Sequence, residues 1–151
     1  MKKQLLGILL IFGLALFSGC GAEEDENGGS WQADIGKAQA IRIVNAETDD
    51  ILAELTGNQE IEAFVTALDL DRWKLSTLPD HAESTMIVYL SQEPTKTLWN
   101  EDSEDSLEEV GHLTVYPDVS YITVTFVGFS FDFEVPQQVM ESLQQYAETE
   151  Y

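Results

Sequence analysis

Two periodicities organise the chain beyond residue 40. Ile122, Val124 and Phe126 alternate with Tyr121, Thr123 and Thr125, and after Gly128 Phe129, Phe131, Phe133 and Val135 alternate with Ser130, Asp132 and Glu134. Successive side chains of a strand point to opposite faces, so both runs predict half-buried strands joined by a turn at Gly128. Ile41, Ile43 and Asn45 opposite Arg42, Val44 and Ala46 predict an earlier strand, and Ile51, Ala53 and Leu55 predict a second one after a turn at Asp49-Asp50. Between Ser84 and Ser91 both faces are apolar, Met86, Val88 and Leu90 against Ile87 and Tyr89, which places that strand inside a sheet. Shorter strands are expected over 95–99 and 112–116.

Helical spacing occurs twice. Ile61, Phe64, Val65 and Leu68 fall at i, i+3, i+4 and i+7, with Thr56 and Gln59 placed for a capping box and an end expected near Leu70. Pro136 suits the first turn of a closing helix whose stripe is Val139, Met140, Leu143 and Tyr146. Residues 71–83 and 100–109 read as loops. The expected fold is therefore α+β, with elements in the order ββαβββββα, an antiparallel sheet and two amphipathic helices packed on one face. Facing those helices, Phe129, Phe131 and Phe133 are expected to be core; a hydrophobic ligand pocket is the other reading of the same stripe.

The first twenty residues follow a different rule. Lys2 and Lys3 precede an apolar run from Leu5 to Phe17, and the run ends in Ser18-Gly19-Cys20. Thirteen helical residues span only about 20 Å, against roughly 30 Å for the hydrocarbon core of a bilayer. The run is thus too short to cross and suits a signal-peptide core. Leu16-Phe17-Ser18-Gly19-Cys20 resembles the lipobox of bacterial lipoprotein precursors, although Phe17 stands where that family usually carries Leu or another aliphatic residue. The resemblance implies a diacylglyceryl group on the Cys20 thiol, removal of residues 1–19, and a lipid-anchored protein on the extracytoplasmic face of the cell membrane. Residues 20–30 then form the lipidated cysteine and an acidic, glycine-containing linker, and residues 31–151 form a single domain. The overall pattern is similar to the small lipoproteins of Gram-positive bacteria, with no domain motif that fixes a family.

Charge narrows the partners. Among 151 residues, 28 acidic side chains face seven basic ones, a net charge of −21 that becomes −23 once Lys2 and Lys3 are removed. A nucleic-acid binder needs a cationic face to displace counterions, so that class is excluded. The expected partners are the lipid bilayer, through acylated Cys20, and a cationic protein or envelope component. Cys20 is the only cysteine, which excludes an intramolecular disulfide.

Candidate chemistry is sparse. The acidic run from Asn100 to Glu109 offers Asp102, Glu104 and Asp105 as weak ligands for a hard cation, but an EF-hand pattern fails because Asp105 and Gly111 occupy the positions that need Gly and Glu. A solvated loop is the simpler reading. Asp80, His81 and Ser84 supply the residue types of a hydrolytic triad without a G-x-S-x-G elbow. His81 and His112 lack zinc-site spacing. Arg72-Trp73-Lys74 gathers two cations around an aromatic ring, as a partner contact would, or as a helix terminus closing over the core edge would. No cofactor motif is present. The sequence points to a non-catalytic binding or interaction domain, with a small-molecule or cation binder and a small hydrolase as the alternatives.

Overall fold

The computed structural model describes residues 29–94 and 106–148. In chain order these form α1 (Gly29–Gly36), β1 (Ala40–Asn45), β2 (Ile51–Leu55), α2 (Asn58–Ala67), a 3₁₀ turn (Leu70–Arg72), β3 (Lys74–Leu75), β4 (Met86–Gln92), β5 (Glu108–Tyr116), β6 (Tyr121–Phe126), β7 (Phe129–Glu134) and α3 (Gln137–Ala147). The strands make one sheet in the order β2-β1-β4-β5-β6-β7-β3, with every neighbouring pair antiparallel. β4 lies between β1 and β5, as its two apolar faces require. Because β2 and β3 occupy opposite edges, the segment carrying α2 takes the chain across the full width of the sheet.

The α+β class and the antiparallel sheet agree with the sequence pattern; the element order differs in detail. Three helices, not two, belong to the described residues. α1 escapes a periodicity search because only Trp31 and Ile35, one turn apart, carry its apolar side, yet Ile35 is fully buried. β3 spans just two residues inside a stretch expected to be loop, and is held by pairing with Phe133 and Glu134. β5 begins at Glu108, so the end of the acidic run is strand and not loop. The expected strand over 95–99 lies outside the described residues.

Local chemistry sets the boundaries. The N-cap of α2 is Gly57, one residue beyond the expected Thr56, and Glu60 rather than Gln59 reaches back to accept a bond from the Gly57 amide at 3.3 Å. Glycine has no side chain to complete a capping box, so only its glutamate half is present. α2 ends at Ala67, short of Leu70. Asp69 follows in the left-handed region (φ 46) and turns the chain into the 3₁₀ segment. The turn between β1 and β2 covers residues 46–48, just ahead of the expected Asp49-Asp50, because the Asn45 carboxamide accepts from the amides of Glu47 and Thr48 at 2.8 and 3.2 Å.

One face of the sheet carries the core. Ile41, Ile43, Val88, Leu90, Leu113, Ile122 and Val124 pack with Ile35 of α1, Phe64 and Leu68 of α2, and Val139, Met140 and Leu143 of α3 in a continuous buried cluster. Trp31 and Trp73 stack at 5.5 Å, and both rings lie against Phe133, at 4.6 and 5.8 Å. That cover stops short of the β6–β7 hairpin. Phe133 is buried, but Phe131 is 48% and Phe129 68% exposed, so the stripe expected to be core is core at one end only. Period two places all three rings on one face but carries no information on how far the helices reach along it.

Candidate functional site

Among the described residues, no helix lies on the opposite face of the sheet. Register fixes which residues share it. Glu54, Arg42, Tyr89, His112, Thr125 and Ser130 stand in one row across β2, β1, β4, β5, β6 and β7. Val44, Ile87, Thr114, Thr123 and Asp132 form a second row, and Tyr116, Tyr121, Glu134 and Lys74 a third. Most of these side chains are half-buried by their neighbours, which is the state of a flat surface awaiting a cover.

Hydrogen bonds hold the polar groups in place. The Thr123 hydroxyl donates to Asp132 Oδ1 at 2.7 Å, while the Leu78 amide approaches Oδ2 at 3.4 Å. The hydroxyls of Thr125 and Ser130 lie 2.9 Å apart, and those of Ser76 and Tyr121 lie 3.0 Å apart. His112 sits beside Tyr89, ring centres 5.7 Å apart, with its Nδ1 3.5 Å from Glu109 Oε1. Arg42 pairs with Glu54 at 3.2 Å. At the β1–β4 end the face sinks into a hollow of about 500 Å³. Val44 and Ile51 contribute apolar surface there, and Arg42, Tyr89, Ser91 and Glu109 contribute polar groups. Val44 is buried although it stands apart from the main core cluster. Such a surface can stack on a planar or sugar-like ring and hydrogen-bond hydroxyl or amide groups.

The candidates singled out in the sequence are dispersed. Asp80 and His81 are exposed in a turn closed by the Ala82 amide donating to the Pro79 carbonyl at 3.1 Å, Ser84 precedes β4, and no hydrogen bond joins the three side chains. Arg72 and Lys74 are exposed, whereas Trp73 is buried and donates its indole N–H to the Leu68 carbonyl at 2.6 Å. Arg72 pairs with Asp69 at 3.2 Å. The trio lines a hollow of about 400 Å³ with Asp71, Glu134, Val135 and Pro136, but its aromatic member serves the core edge. Among the described residues, no three His, Cys, Asp or Glu side chains converge as a metal site. Asp102, Glu104, Asp105 and Cys20 lie outside the described residues.

Half of the open face has a signature in the local sequence. Tyr121, Thr123 and Thr125 already formed the polar side of an alternating strand in the sequence. What no local pattern reveals is that Tyr89 and His112 join them across two further strands.

No family model and no curated protein sequence matches the chain. Among solved structures, a thioesterase-like protein from Clostridium sporogenes is similar at a TM-score of 0.41 and 11% identity, covering 75% of this chain and 96% of that one. A likeness so slight assigns neither an activity nor a fold family. Among the described residues, no helix is long and apolar enough to cross a membrane.

Proposed function

We propose that the chain is a lipid-anchored extracytoplasmic lipoprotein whose domain works by binding, with the open sheet face as its recognition surface. The anchor reading rests on Leu16-Phe17-Ser18-Gly19-Cys20 at the end of an apolar run too short to span a bilayer. The binding reading rests chiefly on the arrangement of polar groups on the open face. Hydroxyl pairs and the Asp132 carboxylate are fixed across neighbouring strands, so a ligand meets a preorganised surface and loses little ordering entropy. By contrast, Asp80, His81 and Ser84 make no mutual hydrogen bonds, which favours binding over hydrolysis by that set.

Site-specific photocrosslinking in living cells tests the surface. A photoreactive residue in place of Thr114, at the middle of the open face, should give a discrete adduct. The same residue in place of Glu62, exposed on α2, should not. Adducts formed through residue 62 and absent through residue 114 would overturn the assignment of the face.

A further inference from the structure

The β6–β7 hairpin carries a surface that the open face does not explain. No charged residue occurs between Asp118 and Asp132, in a chain of which 23% is charged. At the apex Val127 is 89% exposed, and beside it stand Phe129 at 68% and Phe131 at 48%. Val127 and Gly128 both adopt the left-handed region, φ 45 and 81, as a two-residue hairpin loop of this twist demands. Asn or Asp fills the first of these positions with least strain, and a β-branched residue there is an outlier. The chain therefore accepts backbone strain and exposes an aliphatic side chain where a polar one would fit better.

The position of this apex relative to the chain entry says what it meets. Trp31, in the first turn of α1, rests on Phe133, so the domain receives its N-terminal segment on the helix-covered side of β7. Phe131 and Phe129 follow Phe133 on that same side, roughly 7 and 13 Å along the strand. Only eight residues separate Cys20 from Gly29, a reach of at most about 30 Å over the nine intervening steps. An acyl group on Cys20 thus keeps the chain entry within that distance of the bilayer surface, and the hairpin lies only about 13 Å further along β7 from Phe133. A polypeptide with this net charge gains nothing electrostatically from anionic headgroups, which leaves an uncharged, aromatic-flanked edge as the part suited to approach them.

Resting on the anchor reading above, we infer that the apex formed by Phe126, Val127, Gly128, Phe129 and Phe131 docks into the interfacial layer of the same membrane that holds the lipid, and so fixes the orientation of the domain. Phenylalanine rings and aliphatic groups partition into that layer without needing a transmembrane segment. The docked hairpin turns the acyl chains from a swivel into one of two contact points. It also brings Thr125 and Ser130, at the end of the first row of the open face, close to the membrane.

The test uses the full, processed protein in phosphatidylcholine vesicles. Once Cys20 is consumed by the lipid, Val127→Cys supplies a single reactive thiol for a spin label, and Asp118→Cys, on the exposed turn between β5 and β6, supplies the control. The label at 127 should become accessible to oxygen and shielded from a nickel chelate, while the label at 118 stays aqueous. Phe129→Ser with Phe131→Ser should return the 127 label to water, and both rings are exposed enough that the melting temperature reports an intact fold. Equal nickel accessibility at 127 and 118 in an acylated protein overturns the docking. Shielding at 127 without vesicles, dependent on protein concentration, assigns the apex to a second copy of the chain and overturns it too. Mass analysis of the peptide carrying Cys20 reports acylation separately, so an unacylated protein counts against the anchor and removes the basis for the docking.

Discussion

At the scale of single residues, β7 separates orientation from burial. Phe131 and Phe133 point the same way on one strand, yet Phe133 lies beneath two tryptophans while Phe131 has water on one side. Truncation costs should follow cover and not face. Phe133→Ala should lower stability by about 3–5 kcal/mol, the usual loss for a buried ring. Phe131→Ala should cost under about 1 kcal/mol. Urea denaturation of the two variants checks this, and equal losses would show that the rings share one environment. Gly111 makes a related point. A methyl group on it would stand 2.3 Å from the Phe126 ring and 2.6 Å from the Thr125 carbonyl, so glycine is needed for close approach. Nothing beside Gly111 in the sequence announces that need, because it arises from cross-strand pairing with Phe126 at the far end of the β5–β6 hairpin.

At the scale of elements, what the sequence reveals depends on how long a pattern persists. β1, β2, β4, β6, β7, α2 and α3 each repeat their period often enough to be read. α1 offers one apolar pair, and β3 offers none; both exist because tertiary partners complete them. Gln92 Nε2 donates to the Asp34 carbonyl at 2.9 Å, and Gln32 Nε2 approaches the Leu70 carbonyl at 3.4 Å. The polar open face was hidden for the same reason, since His112 and Tyr89 become neighbours only through the β4–β5 register. Where α2 meets α3, the Tyr146 ring packs edge-on against Phe64 at 5.6 Å. Burial, and then the Glu60 carboxylate, push the Tyr146 hydroxyl above its ordinary value of 10.0. A proton held more tightly in the folded state gives stability that is complete below about pH 10 and falls as pH rises through the folded pKa. Thermal melting should therefore decline across that alkaline window, and Tyr146→Phe should flatten this part of the decline.

At the scale of the whole molecule, net charge and the proposed anchor are what remain to be tested. Acidic residues occur on all three helices and on β2, β5 and β7, so electrostatics alone does not single out one face. The ion pairs Lys37–Asp34, Arg42–Glu54 and Arg72–Asp69 are solvent-exposed and contribute little. Repulsion among the remaining carboxylates opposes the compact state. Added salt shortens the Debye length from about 30 Å at 0.01 M to about 8 Å at 0.15 M, so the melting temperature should climb over that range. A flat or falling profile would refute the repulsion argument. The proposed hairpin docking and the proposed extracytoplasmic binding role both rest on the proposed acyl anchor at the Cys20 sulfur. The decisive measurement is incorporation of labelled fatty acid by cells making the wild-type chain or Cys20→Ser. The account predicts label in the wild-type protein, with none in the variant, which is released or kept as precursor. An unlabelled wild type, or a variant that still takes up label, would contradict it.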